Sequence, residues 1–359
     1  VLTGTDNVSI YGGFECSGWG HKGAKSKITV SGGSDVGLDV DKAKNASFQD
    51  LVIEGPAEGA PNSIAARVTD SNLVSFKRVK LLAGNGQSQG KAADGVTLAL
   101  KSTDPAPDAG APIPKGEAAG GAAPGLAKTC TCEDTSITKG GSGGGVGGGS
   151  GGDGKPDLGG GAPKDGKGGA ANADDCTTGL GHTGAVGRDG QNAATASLGT
   201  IDGRTWIGAG LSGGVGGPGQ GGGGGASPSA ATGAGGGGGC GGCGGGGGKG
   251  GVGGGGSIGL LAVASVISLD TVDATSKKGG AGGAGGAGGA GGAGGGGGLG
   301  GSGAVDGCSG GTGGKGGKGG AGAGGAGGIS VGIVYKGMKP TGADAINWTG
   351  DSGGEGGAE

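Results

Sequence analysis

Short stretches in which apolar and polar residues alternate are spread along the chain and separated by long glycine-rich tracts. Each stretch is rich in Val, Ile, Leu and Thr, and a period of two with this composition is typical of β-strands. The stretches lie at 7–14, 26–32, 46–55, 72–84, 94–102, 135–140, 257–274 and 329–337.

The strand-like stretches also repeat one another. The repeated positions are Val40, Phe48, Leu51 and Ile53 in one copy and Val68, Phe76, Val79 and Leu81 in the next. All four pairs share one spacing, which we call the repeat offset. The same cadence recurs weakly at Cys132, Thr135 and Ile137, and again at Leu269, Val272 and Ala274. A strand-turn-strand unit that repeats every 20 to 30 residues or so predicts a parallel β-helix. An antiparallel sandwich is the alternative, but Asn-Gly hairpin turns between the strands are scarce.

The glycine tracts interrupt this repeat at one point of the unit, so we expect each arm to leave the coils from the same corner. The predicted fold is all-β with essentially no α-helix: a narrow parallel β-helix spine emits glycine-rich arms that pack as a polyglycine-II bundle. The predicted organisation is β-helix coils at 1–104, a Pro/Ala-rich loop at 105–125, a coil at 126–140, an arm at 141–256, a coil at 257–278, an arm at 279–328, and a final coil with its tail at 329–359.

The arm at 279–328 carries alanine at every third residue from Ala281 to Ala293, with glycine between. A polyproline-II strand has three residues per turn, so the alanines would form one outer column and the glycines would face neighbouring strands. Ordering about 50 such residues costs on the order of 50–100 kcal/mol of backbone entropy. Only a lattice of interstrand hydrogen bonds could offset that cost, because the side chains are too small to bury much surface. Disorder is the alternative, but a flexible linker needs no three-residue phase.

Composition narrows the class of protein. Glycine makes up 116 of 359 residues, yet the 12 prolines are too few for collagen. The net charge of −3 predicts no nucleic-acid binding, and no apolar run is long enough for a membrane span. The chain starts directly with a strand-like segment, which we interpret as a product whose export signal has been removed.

Several segments together resemble the glycine-rich surface proteins of myxobacteria and other delta-proteobacteria. They are "VSIYGGFECSGW" (8–19), "LLAGNG" (81–86), "GRDGQNAATASLGTIDGRTWIGAG" (187–210), "GGGGGCGGCGGGGGKGG" (235–251), "SIGLLAVASVISL" (257–269) and "ISVGIVYKG" (329–337). The resemblance covers nearly the whole chain and implies export and surface exposure, with no established activity. Members of that family usually have coils before the "YGGF" segment, so the first coil here is expected to be uncapped. By composition, the arms are similar to the polyglycine-II domains of certain phage adhesins and snow-flea antifreeze proteins.

No catalytic, cofactor-binding or metal-binding residues are predicted. The segment "GGSGG" at 140–144 fits a nucleophile elbow but lacks the strand-turn-helix context. His21 and His182 have no acidic neighbour at metal spacing, and we interpret both as solvated. Trp206 could stack on a sugar, but we favour a plug that covers the end of a bundle.

The seven cysteines are the remaining candidates for chemistry. Structural disulfides are favoured for Cys130, Cys132, Cys176, Cys240, Cys243 and Cys308, and a zinc site is the alternative. In a polyproline-II strand Cys240 and Cys243 lie about 9 Å apart, too far for a disulfide between them. Both close pairs are therefore expected to bridge to neighbouring strands, and Cys16 is the expected free or intermolecular thiol.

Three functions remain open. The first is a secreted structural protein, the subunit of an extracellular fibre or surface filament built by end-to-end stacking, and therefore a homo-oligomer. The second is a surface or tip adhesin that binds a cell surface or glycan through the tips of its glycine arms. The third is a polysaccharide-acting β-helix enzyme, which would need Asp, Lys and Arg clustered on one coil face. We find no such cluster in the sequence, and the protein is expected not to be an enzyme.

Overall fold

The computed structural model of the protein describes residues 1–15, 17–30, 34–58, 60–100, 118–158, 165–171 and 175–358. The regular structure in these ranges is nearly all β-strand. A single α-helical turn, α1 (Cys176–Gly179), and a 3-10 turn at Ala343–Ala345 are the helical elements among the described residues. None of the described helices is long and apolar enough to cross a membrane. The strands are β1 (Leu2–Thr3), β2 (Ser9–Tyr11), β3 (Ser26–Ile28), β4 (Val36–Asp41), β5 (Ser47–Gln49), β6 (Leu51–Glu54), β7 (Ser63–Thr69), β8 (Val74–Lys77), β9 (Lys80–Leu82), β10 (Thr129–Thr131), β11 (Ile137–Lys139), β12 (Thr200–Asp202), β13 (Thr205–Ile207), β14 (Ser257–Val263), β15 (Ile267–Asp270), β16 (Asp273–Ser276), β17 (Ser330–Lys336) and β18 (Asn347–Gly350).

Three parallel sheets organise most of these strands. The chain passes through the first, second and third sheet in turn and then returns to the first. The first sheet has the order β1-β4-β7-β14-β17, the second β2-β5-β8-β15 and the third β3-β6-β9-β16-β18. We call these sheets together the three-sheet stack. Parallel pairing is therefore confirmed for the predicted strand segments 46–55, 72–83, 257–274 and 329–336.

The repeat offset is the register of the stack. Val40 pairs with Val68, Phe48 with Phe76, and Ile53 with Leu81. The third copy also follows the predicted cadence, because Leu269 pairs with Phe76 and Ala274 with Leu81. The two phenylalanine rings stack with their centroids 5.1 Å apart, and both are fully buried. Like side chains therefore lie above one another and form the continuous apolar core of the stack.

The corners between the sheets repeat with the same offset. Lys42 and Asp70 are separated by it and have φ of 52° and 47°, and Asp50 and Arg78 have φ of 54° and 52°. This left-handed conformation is uncommon for residues with a side chain. The same conformation therefore recurs at equivalent corners of successive turns, at positions that carry no glycine.

Both long excursions leave the stack from one corner, as predicted. The first follows β9 and returns at β14, and the second follows β16 and returns at β17, so each runs from the third sheet to the first. The tail at 351–358 also leaves from the third sheet, after β18. The two excursions and the tail therefore begin at the same corner of the stack.

Two predicted coils are wrong. Of the predicted segment 94–102, the described residues 94–100 form two isolated antiparallel bridges, from Thr97 to Gly245 and from Leu100 to Cys132, and no strand of the stack. The segment 126–140 forms the antiparallel pair β10–β11 and not a turn of the stack. Alternation of apolar and polar residues indicates a half-buried extended chain, but it does not identify the partner. The predicted loop at 105–125 lies outside the described residues as far as residue 117.

The extended glycine-rich segments 233–256, 279–301 and 307–328 bond to one another in a triangle. Every third amide from Gly280 to Gly301 donates to every third carbonyl from Gly255 back to Ala234, at 2.7–2.9 Å. In the same way, 233–256 donates to 307–328, and 307–328 donates to 279–301. Further segments at 85–98, 140–144, 181–193, 209–226 and 351–358 surround these three, and we call the whole assembly the glycine bundle.

The alanine column lies on the outside of the glycine bundle. Ala281 and Ala284 are half-buried, whereas Ala287, Ala290 and Ala293 are exposed. Where a glycine faces a neighbour, a Cβ would collide with a backbone carbonyl. At Gly316, for example, the added atom would overlap the carbonyl oxygen of Cys243. Glycine is therefore required by close approach of the backbones.

We predict that Gly316→Ala destabilises the protein by about 2 kcal/mol or more, because an overpacked backbone contact must open. Gly90→Ala is the matched control, since a Cβ there meets no atom within 4 Å, and we expect it to change the free energy of unfolding by less than about 1 kcal/mol. Chemical denaturation of both variants measures the difference. Equal effects would show that close packing does not determine the glycine positions.

Candidate assembly surface

Each parallel sheet ends in a strand edge that no other described strand covers, at both ends of the stack. The outermost strands are β1, β2 and β3 at what we call the β1 end. They are β17, β15 and β18 at the β17 end, where Thr341 adds a single bridge to β15. An uncovered strand edge presents amide and carbonyl groups that can pair with another strand. Both ends are therefore candidate surfaces for binding a strand.

The β1 end is apolar as well as open. Leu2, Ile10 and Ile28 pack against the core but are only partly buried. Tyr11 and Phe14 are 55% and 46% exposed. The end of the core is thus accessible to solvent at this side of the stack.

The amide of Tyr11 points away from the stack at the β1 end. The next amide, of Gly12, donates to the carbonyl of Gln49 on β5 at 2.9 Å. Successive amides of a parallel strand alternate between its two edges, so the Tyr11 amide faces the open side. It is available to the carbonyl of an incoming strand.

Trp348 partly covers the core at the β17 end. Its indole nitrogen donates to Ser276 Oγ at 3.0 Å, and its ring lies beside Gly332. Half of the tryptophan remains exposed. The edges at the two ends differ in length: β17 has seven residues and β1 has two, whereas β18 has four and β3 has three. On the second sheet β15 has four residues and β2 has three, so the edges of the two ends are close in length on the second and third sheets.

A cluster of ion pairs fastens the β12–β13 hairpin, which lies in the chain between two segments of the glycine bundle, to the first sheet. Arg67 on β7 donates from Nε and Nη2 to the two carboxylate oxygens of Asp39 on β4, at 3.0 and 2.7 Å. Arg204, in the turn of the β12–β13 hairpin, donates to Asp39 at 2.9 Å and lies 3.0 Å from Asp41. Burial alone would raise the pKa of Asp39, but the hydrogen bonds and charges of Arg67 and Arg204 hold it below its usual value. The carboxylate is therefore kept ionised between two cations.

This cluster is the feature that sequence reasoning missed. Asp39 and Arg67 are 28 residues apart, as are Asp41 and Thr69, which are also hydrogen-bonded. The repeat offset applied to charged residues would have predicted both pairs. The cluster does place Asp and Arg on one face of the stack, which the enzyme hypothesis needs. Its members bond to one another under the hairpin, however, which is the arrangement of a structural support.

Trp206 packs on the first sheet, beside residues 252–255 of the glycine bundle. It joins an apolar cluster with Val36, Ile64, Ile201, Ile258 and Leu261. A groove of about 300 Å³ runs beside it. The buried Asn62 lines that groove, but its side chain donates to Thr205 Oγ1 and the Trp206 carbonyl and accepts from the Gly256 amide. The tryptophan thus closes the junction between sheet and bundle.

The six cysteines predicted to form disulfides are joined in three bridges between segments distant in sequence. Cys130 pairs with Cys240 and Cys132 with Cys243, with Cα atoms 6.2 and 5.7 Å apart. The third bridge joins Cys176 to Cys308, with Cα atoms 5.3 Å apart. Cys240 and Cys243 are each tied to the β10–β11 pair and not to each other. Cys16, the expected free thiol, lies outside the described residues.

The two histidines occupy different settings. His21 lies beside Asp50, with 3.4 Å between Nε2 and the carboxylate, whereas the His182 backbone belongs to the glycine bundle. The described residues contain no group of three or more His, Cys, Asp or Glu side chains arranged to hold a metal ion.

Comparison with protein-family models, curated proteins and solved structures finds no match to this chain.

We predict that Cys130→Ser exposes one new thiol, at Cys240, while the Cys132–Cys243 bridge stays intact. Iodoacetamide labelling of the oxidised protein followed by mass spectrometry locates that thiol, and Cys132→Ser is the matched variant, expected to expose Cys243. The bridges close loops of 110 and 111 residues, and loop entropy gives each about 4–5 kcal/mol. Exposure of Cys243 in the Cys130→Ser variant would contradict the pairing.

We also predict that Asp50 makes the stability of the stack sensitive to acid. Arg78 donates from Nε and Nη2 to the two Asp50 oxygens at 2.8 Å, and these bonds hold the pKa of Asp50 far below its usual value. A lowered pKa in the folded state adds stability that is complete above the unfolded value of about 4 and is lost as the pH falls through the folded value.

Thermal unfolding between pH 7 and pH 2 tests this expectation. Asp50→Asn should lower the Tm at pH 7 and reduce its further fall in acid. Asp344→Asn removes a carboxylate that is 87% exposed and should keep the acid dependence of the unchanged protein. Parallel curves for Asp50→Asn and the unchanged protein would rule out this role of Asp50.

Proposed function

We propose that the protein is an extracellular structural protein, the subunit of a fibre or surface filament formed by end-to-end stacking. One observation carries the proposal: within the described residues, the outermost strand of each parallel sheet has no further strand paired with it at either end of the stack, and Thr341 adds a single bridge to β15. Strands of a second copy could continue each sheet across the junction.

In this proposal the three-sheet stack acts as a parallel β-helix spine. The fixed order in which the chain visits the sheets supports it, as do the register set by the repeat offset and the alignment of like side chains in the core. Such a spine is quasi-one-dimensional, because each turn contacts only its neighbours. Length is then added without any change to the unit.

The glycine bundle acts as a polyglycine-II layer that stiffens the spine. The three-residue spacing of its hydrogen bonds and the outward alanine column support this proposal. Three disulfides support an oxidising, extracellular location. The ion cluster around Asp39 would transmit load between the two layers.

The fibre proposal predicts that Tyr11→Pro abolishes assembly. Proline removes the outward amide of this edge strand, while the bonds from β2 to β5 remain. Tyr11→Ala is the control, because it removes the side chain and keeps the amide. Negative-stain microscopy and light scattering of the full chain at increasing concentration measure filament length.

We expect filaments for the unchanged protein and for Tyr11→Ala, and single particles for Tyr11→Pro. Single particles for all three proteins would refute the fibre. Filaments in the presence of proline would place the contact away from the β1 end and would equally refute end-to-end stacking.

An adhesin is the second candidate, and one feature favours it. Turns from distant segments meet at the far tip of the glycine bundle, where Ser227 bonds to Gly149 and Ala304 bonds to Thr232. Nearby, Val146 is 45% exposed and Leu299 is 70% exposed. A single particle that binds cells or glycans, and loses binding when Leu299 and Val146 are replaced by serine, would support this function over the fibre.

A further inference from the structure

The groove beside Trp206 lies where the first sheet, the β12–β13 hairpin and the glycine bundle meet. Its volume is about 300 Å³. Asp35 and Asn62, which precede β4 and β7, line it from the side of the first sheet, Trp206 lines it from the hairpin, and Gln89 lines it from the bundle segment 85–98. Ligand pockets of proteins begin at about 300 Å³, so the groove can hold a small ligand about one ring in size.

Trp206 gives the groove a flat apolar wall. Its side chain is half-buried, and Ile207 and Val252 line the groove beside it. A Cβ at Gly256 would lie 3.3 Å from Cδ1 of the indole, and a Cβ at Gly199 would collide with Cζ2. Backbone therefore approaches the ring at two of its edges, and the ring is held in place before a ligand arrives.

Asn62 fixes the hairpin at this wall. The side chain is buried, and its amide nitrogen donates to Thr205 Oγ1 and to the Trp206 carbonyl, both at 3.1 Å. Its amide oxygen accepts from the Gly256 amide at 2.7 Å. Because the Thr205 hydroxyl accepts the bond from Asn62, its own proton remains to be donated.

Three polar side chains of the groove keep unused hydrogen-bonding capacity. The Asp35 carboxylate lies 3.8 Å from Arg67 Nη1, which is longer than a hydrogen bond, so its oxygens can still accept. The Gln89 backbone amide donates to Ala281, but its side chain forms no hydrogen bond with the described residues. Together with the Thr205 hydroxyl, these groups offer both donors and acceptors beside the indole.

The charge of the groove disfavours an anionic ligand. Asp35 is its charged side chain, and no Lys or Arg is among the described residues that line it. A phosphate or a carboxylate would meet the Asp35 carboxylate without a cation in the lining to offset the repulsion. A neutral ligand with several hydroxyl groups fits the donors and acceptors better, since each hydroxyl can both donate and accept.

We propose that this groove binds one neutral sugar ring of the pyranose type whose hydroxyl groups are equatorial. Equatorial hydroxyls leave C–H groups on the faces of the ring, and such a face stacks on the electron-rich face of Trp206. The hydroxyls at the rim of the sugar bond to Asp35, Gln89 and Thr205. The site lies at the junction of sheet and bundle, so it does not depend on fibre formation or on the far tip of the bundle.

An NMR titration of the full chain with methyl β-D-glucopyranoside tests the proposal. The three tryptophans serve as separate reporters: the indole nitrogen of Trp206 is buried, whereas Trp19 and Trp348 are 78% and 50% exposed. We expect a saturable shift of the Trp206 indole signal and none at the other two. Sorbitol carries its hydroxyls on an open chain without a flat C–H face, and it should bind at least tenfold more weakly.

Two glutamine variants locate the site. Gln89→Ala should weaken binding of methyl β-D-glucopyranoside about fivefold, the effect of one hydrogen bond, without a change in Tm. Gln87→Ala is the matched control, because Gln87 is exposed on the same segment but does not line the groove, and it should bind like the unchanged protein.

Four results would each overturn the proposal. They are no saturable shift at Trp206, a shift of equal size at Trp19 or Trp348, equal binding of sorbitol, and equal effects of the two glutamine variants. A shift shared by the exposed tryptophans would show that the sugar stacks on any accessible indole.

Discussion

The close approach of glycine backbones is the constraint on which the rest of this structure depends. Neighbouring segments of the bundle lie so near that a Cβ at an inward position would overlap a carbonyl oxygen. Because the segments lie so close, each one directs three rows of amide and carbonyl groups toward different neighbouring segments. The groups within one row are three residues apart in the chain. Each bond contributes only about 0.5–1.5 kcal/mol net, so order arises from the number and regularity of the bonds. The bundle has almost no side-chain core to replace them.

Because the bundle has so little apolar surface, attachments of other kinds hold its segments together and link it to the stack. Three disulfides join segments that are far apart in sequence. Arg204 reaches from the β12–β13 hairpin to Asp39 on the first sheet, and Trp206 adds apolar contact beside it. The three-sheet stack supplies the conventional core, with Phe48 and Phe76 at its centre. The stack therefore acts as the template against which the glycine segments are aligned.

The proposed fibre follows from backbone groups that have no strand partner among the described residues. They lie along the outermost strands at the two ends of the stack. Backbone groups recognise conformation and close approach more than side-chain identity. The proposed assembly would therefore need no pocket with precise chemistry.

The sequence by itself determined the parallel strands, the repeat offset that sets their register, the outward alanine column and the cysteines of the bridges. These features are periodic, and a period can be recognised without knowledge of the partner. Only the tertiary structure decided that 94–100 and 126–140 belong outside the stack, because alternation does not identify a neighbour. It also decided which cysteines pair, that Arg204 meets Asp39, and that the tail enters the glycine bundle. Each of these depends on where distant segments lie side by side, and glycine tracts of nearly uniform composition carry no local signal that distinguishes one neighbour from another.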